Sequence, residues 1–165
     1  MTNEPLDPIR RTAELVTANS LNHTDTVELE RRLKQDIFNS IGRIKPNLIK
    51  DVDFDKEVVN GDFFAKLPAP LQGIAIARCE GALAFYNRIG WHQNLLVEPI
   101  AECVPAEGHQ PLSDRYHATT LHDLAYVHPK HFEKMLGKPG SASLWETLKR
   151  HVSKLNNSGP ESNSD

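Results

Sequence analysis

Between positions 29 and 48 the chain places Leu29, Leu33, Ile37, Ile41, Ile44 and Leu48 at spacings of four, four, four, three and four. Only a helix of 3.6 residues per turn gathers such a series onto one face, so the chain must form a long amphipathic helix with something apolar to cover it. The helix is predicted from Asp25 to near Lys45. Asp25 with Glu28 three residues later suits a capping arrangement, and Gly42 and Pro46 weaken the other end. Such a face serves the protein's own core, a partner or a second copy of the chain. Fewer than three clean heptads give the core more weight.

Three further helices follow from the same logic. Asp7-Pro8 is an N-cap followed by proline at the first helical position, opening a short helix to about Ala18. Residues 70 to 89 carry apolar groups around most of a helical circumference, with Gly73, Ala77 and Gly81 as a row of small residues and Gly90 as a stop. Ser143 with Glu146 is a capping box for a last helix whose apolar face is Leu144, Trp145, Leu148, Val152 and Leu155. Pro129 starts a short separate helix that Gly137 ends. Asn60-Gly61, between Val58-Val59 and Phe63-Phe64, is a hairpin signal. Leu95 to Val104 suits an edge strand, residues 105 to 114 a loop, and 115 to 127 either helix or strand. The expected fold is mainly α, a single compact domain of four to five helices with room for a small β-hairpin, which would make it α+β. Residues 1–22 are expected as an N-terminal arm with a short helix, 23–155 as the domain and 156–165 as a disordered tail.

Several classes are excluded or disfavoured. No charge-free run approaches the roughly 18 apolar residues of a membrane span. The opening Met1 to Pro8 has neither a basic nor an apolar region of the kind that directs secretion, so the cytoplasm is the expected location. At 165 residues, with 25% charged and 39% hydrophobic, the chain can bury a core without disulfides or metal. Cys79 and Cys103 belong to no CxxC pair and are expected as buried thiols. No GxSxG, P-loop or GxGxxG is present.

Charge is segregated although the net is only −3. Residues 31 to 50 hold Arg31, Arg32, Lys34, Arg43, Lys45 and Lys50 against Asp36. Residues 51 to 62 hold Asp51, Asp53, Asp55, Glu57 and Asp62 against Lys56. A basic helix followed by an acidic stretch is expected to pair with itself, at about 0–1 kcal/mol per exposed pair. The competing reading takes Arg31, Arg32, Lys34, Arg43 and Lys45 as a phosphate or nucleic-acid surface, which the pI near 6.2 disfavours.

Five of the eight histidines, His109, His117, His122, His128 and His131, lie within 23 positions of each other. Imidazole is the commonest transition-metal ligand, so the cluster is compatible with a divalent metal although no cofactor is required. His122-Asp123 resembles the paired His-Asp of HD-domain metal-dependent phosphohydrolases. That resemblance implies a metal held by His92, His117, His122 and Asp123, but the only later aspartate that could complete the family's ligand set is Asp165. Arg88, Trp91, His92 and Arg115 form a candidate binding constellation if the chain brings 88–92 beside 115–123. The expected function is a small protein-interaction or regulatory module that binds a protein partner or itself. A metal-dependent phosphohydrolase is the alternative and a nucleic-acid-binding regulator the minor one.

Overall fold

The structure, a computed structural model, describes residues 7–157. The first six residues and 158–165, most of the expected tail, lie outside the described residues. The chain is mainly α, with no strand among the described residues. Its helices gather into two compact units, the first ending at Leu83 and the second beginning at Ala84.

In the first unit, helix α1 (Pro8–Val16) begins as its sequence predicts: the Asp7 carboxylate accepts from the Ile9 amide at 2.9 Å. Ile9 and Ala13 are fully buried, so α1 contributes to the core of this unit. Its connection to α2 (Thr24–Ile44) is tied by the Thr17 and Thr26 hydroxyls, 2.6 Å apart, and by Ser20, which donates to Asp25 at 2.6 Å. Asp25 therefore braces this turn from a buried position, and the cap position belongs to His23. Leu29, Leu33, Ile37 and Ile41 of α2 are at most 1% exposed, each such burial stabilising by about 1.5–3 kcal/mol relative to an exposed side chain. The stripe then leaves the core, with Ile44 at 55% and Leu48 at 47% exposure.

The expected hairpin is absent. Residues Phe54–Val59 instead form one turn of π-helix, in which the Asn60 amide donates to the Asp55 carbonyl five residues back at 3.0 Å. Asn60 has φ −102° and ψ 0°, not the positive φ that a two-residue Asn-Gly hairpin requires. Asp53 caps this turn by accepting from the Lys56 amide, and the buried Lys34 ammonium donates to the Val59 carbonyl at 2.9 Å. Gly61 passes so near the Glu57 carbonyl that a Cβ would sit 2.7 Å from it, which fixes the residue type there. After helix α3 (Phe63–Lys66) comes α4 (Ala69–Ile89). Within the first unit α4 buries Leu71, Ala75, Cys79 and Ala82, a single stripe, while Gly73, Ile76 and Ala77 are exposed. The apolar residues that cover most of this helix's circumference are thus buried on one face only.

The second unit starts with the buried Phe85, Tyr86 and Ile89 at the end of α4. Gly90, at φ +95°, turns the chain there as a helix-terminating glycine does. The expected edge strand at 95–104 is replaced by 3-10 turns at Gln93–Leu96 and Ile100–Glu102, and one isolated bridge, Pro99 to Thr120, is all that resembles pairing. Helix α5 (His109–Tyr116) occupies most of the expected loop. Its Pro111 sits in the first turn, where a missing amide removes no helical hydrogen bond. A 3-10 helix at Leu121–Tyr126 follows, then α6 (Pro129–Asn157), broken at Gly137 with φ +77°. The helix is already re-established before Ser143, so that residue does not cap it. Trp145 packs against Phe132 and Phe85 at centroid distances of 5.7 and 5.9 Å, with Leu124, Leu144, Leu148 and Val152 completing the core.

Candidate binding site

The histidine-rich region of the second unit is a set of fasteners. His122 is 0% exposed; its Nδ1 lies 2.6 Å from the Tyr86 hydroxyl and its Nε2 2.8 Å from that of Tyr126. A hydroxyl both donates and accepts, so either tautomer of the ring is satisfied at both nitrogens. Asp123 completes a capping box with Thr120: its carboxylate accepts from the Thr119 and Thr120 amides at 2.9 and 3.0 Å. The buried His122 and the half-buried Asp123 are thus both hydrogen-bonded within and around this short helix. His92 caps the Gln93–Leu96 turn by accepting from the Asn94 amide, and His117 ends α5 at φ +55° with its side chain exposed. Among the described residues no three His, Cys, Asp or Glu side chains converge to hold a metal.

Four more histidines of this unit are hydrogen-bonded within it. His109 meets the Val104 carbonyl at 2.7 Å, His131 meets the Tyr116 hydroxyl, and His128 accepts from the Lys130 amide. His151 meets Glu98 at 2.7 Å. Of the 88–92 constellation, Arg88 lies over the Trp145 ring at 3.9 Å and Trp91 packs edge-on against Tyr86 at 5.2 Å. The segment just after it does run beside 119–121: the Ile100 amide donates to Thr119 and the Leu121 amide to Glu98. Arg115 is exposed on the last turn of α5.

The basic face of α2 divides into used and unused halves. Arg31 pairs with Asp55 at 3.0 Å across 24 residues, Arg32 with Asp36 at 3.2 Å, and the buried Lys34 with Glu30 at 3.2 Å. Arg31 also stands over the Phe54 ring at 5.3 Å. Of the pairing expected between the basic helix and the acidic stretch, Arg31–Asp55 is present, whereas Arg32 and Lys34 pair with acids of the helix itself. Arg43 and Lys45 are exposed, and no acidic side chain among the described residues pairs with them.

At that same end of α2 the first unit contains an apolar pocket of about 150 Å³. Phe38 and Ile41 of α2 form one wall, Leu48, Ile49 and Val52 a second, and Phe63, Leu67 and Pro68 a third, with Glu57 and Lys66 as the charged groups. Ile49 lies directly on Gly42, where a Cβ would overlap its Cδ1, so the glycine lets the segment after α2 fold back against the helix. Most of these wall residues were not singled out from the sequence. The signal available was the apolar stripe itself, which runs past Gly42 and Pro46, beyond the end of the helix.

Both cysteines are free and buried. Burial pushes the thiols of Cys79 and Cys103 up to about 11, which keeps them protonated and poor nucleophiles. Compared with known proteins, the chain matches no family model, no curated protein and no solved structure.

Proposed function

We propose that the chain is a non-catalytic protein-interaction module whose pocket at the end of α2 receives one apolar side chain of a protein partner. The observation that carries this reading is the continuation of the apolar stripe out of the core: Ile44 is exposed, and Leu48, half-exposed, lines an apolar pocket of about 150 Å³. A cavity of roughly that size admits a benzene ring, whereas sites that enclose whole small molecules run to about 300–1,000 Å³. Large apolar side chains left at the surface beside a pocket are the usual mark of an anchor site. The paired state of Arg31, Arg32 and Lys34 favours this reading over a phosphate surface, since phosphates would have to displace Asp55, Asp36 and Glu30. We take the cytoplasm as its compartment, which the two free, buried thiols support.

The test is a photo-crosslinking residue in place of Leu48, with the same residue in place of the exposed Val97 as control. Discrete protein adducts from position 48, suppressed by adding indole, are the expected result. Equal, indiscriminate labelling from both positions would overturn the proposal.

A further inference from the structure

The pocket also indicates the chemistry of its occupant. Two of its walls are aromatic: Phe38 and Phe63 have centroids 6.4 Å apart, and Phe38 also meets Phe54 edge-on at 5.3 Å. A further ring entering beside them gains the edge-to-face contacts that aromatic groups prefer. The charged lining groups differ in availability. Glu57 keeps its negative charge, but its carboxylate is tied to its own π-turn by accepting from the Asp53 amide at 3.0 Å. Lys66 lines the pocket, is exposed, and meets no acidic partner among the described residues. Lys45 and Lys50, which bracket the lining pair Leu48-Ile49, have no such partner either. The neighbouring acids are partly used: Asp55 holds Arg31 and Asp53 caps the π-turn. Asp51 and Asp62 are the uncommitted ones, and neither lines the pocket.

Resting on the binding reading above, we propose that the partner is an acidic peptide segment. One aromatic side chain of it fills the pocket and a carboxylate next to that residue pairs with the Lys66 ammonium.

The experiment is a titration of isotopically labelled full chain, followed by NMR at the methyls of Ile41, Leu48 and Val52. The probes are acetyl-Gly-Phe-Asp-Gly-amide, its Phe-Lys and Ala-Asp counterparts, and phenylacetate. The Phe-Asp peptide is expected to shift these signals and to bind about two- to fivefold tighter than the Phe-Lys peptide, the size of an exposed ion pair. That preference is expected to reverse in Lys66→Glu, an exposed change that leaves the core intact, and to vanish at 1 M salt, where screening acts over about 3 Å. If both Phe peptides bind equally, the acidic assignment is wrong while the pocket stands. If no probe shifts the pocket methyls, the binding reading itself fails. Phenylacetate binding as tightly as the peptide overturns the peptide assignment in favour of a small carboxylate. Concentration-dependent shifts of the same methyls without any probe overturn it in favour of a second copy of the chain.

Discussion

Removing the Tyr86 hydroxyl tests whether His122 is a fastener or a ligand. In Tyr86→Phe the ring stays, so packing against Phe85 and Trp91 is retained, but the 2.6 Å bond to His122 Nδ1 is lost. Tyr86 is 4% and His122 0% exposed, so water cannot readily replace the hydroxyl, and the loss of this buried bond costs about 1–3 kcal/mol. Tyr126 is only half-buried, so Tyr126→Phe is expected to cost less, about 0.5–1.5 kcal/mol, with water taking over at Nε2. His122→Ala removes the buried ring and one hydrogen bond from each hydroxyl, for about 3–5 kcal/mol by comparison with other buried rings. The assay is urea unfolding followed by circular dichroism, with and without a chelator. The expected order is His122→Ala worst, Tyr86→Phe intermediate and Tyr126→Phe mildest, with no effect of chelator on the parent protein. A parent midpoint that rises with added zinc, together with a Tyr86→Phe variant as stable as the parent, would refute the fastener argument and restore a ligand role.

Other outcomes follow from the same contacts. Lys34→Ala leaves Glu30 with Arg10, at 3.8 Å, as its ion-pair partner and takes the ammonium from the Val59 carbonyl, at an expected cost of about 1–3 kcal/mol, whereas Lys34→Met, which keeps the volume, costs less; chemical denaturation separates them. Gly73→Ala is expected to raise stability by about 0.5–1 kcal/mol, because the site is an exposed helical position with open space around the missing Cβ. The Cys79 thiol, held near 11 in the folded chain against 9.0 when unperturbed, binds a proton that the unfolded chain has released between those values. Stability is therefore full below pH 9 and falls as pH rises towards 11, by about 2–3 kcal/mol; urea midpoints at pH 8 and 10.5, compared with those of Cys79→Ala, read this slope. Leu48→Glu, at a half-exposed position, is expected to change stability by under about 1 kcal/mol while abolishing the methyl shifts caused by the Phe-Asp peptide.

The helices were legible where a cap was sound, as at Asp7-Pro8, or where the apolar period was long, as along Leu29 to Ile41. Misreadings cluster where a tertiary contact outweighs a local signal. Asn60-Gly61 carries the residues of a tight hairpin, but the buried Lys34 draws the Val59 carbonyl inward, and the wider π-turn results. Ser143 and Glu146 carry a capping box that is not used, because the helix is already under way after the break at Gly137. The histidine cluster was visible but its role was not. A ring nitrogen facing a tyrosine hydroxyl 36 positions away, as in His122 and Tyr86, leaves no trace in local spacing. The pocket was hidden for a similar reason, since its walls come from separate segments between 38 and 68, Ile49 among them through its close approach to Gly42.

One stripe on α2 thus has two destinations, and the division has an energetic consequence. Ile41 belongs both to the buried series and to the pocket wall, so the pocket is a continuation of the core rather than a separate surface feature. An occupant that binds the folded wall and has no affinity for the unfolded chain must stabilise the first unit, by about 2.7 kcal/mol when present at a hundred times its Kd. Filling the pocket from within should act in the same direction while removing the binding. Gly42→Ala pushes Ile49 away from the helix, because its Cδ1 has no room beside a Cβ. If the side chain swings into the pocket, added helix propensity and better wall contact offset the displacement, and stability is kept as binding is lost. If instead the segment after α2 detaches, stability and binding fall together. Those two patterns distinguish a pocket that is a spare piece of core from one that the fold holds open.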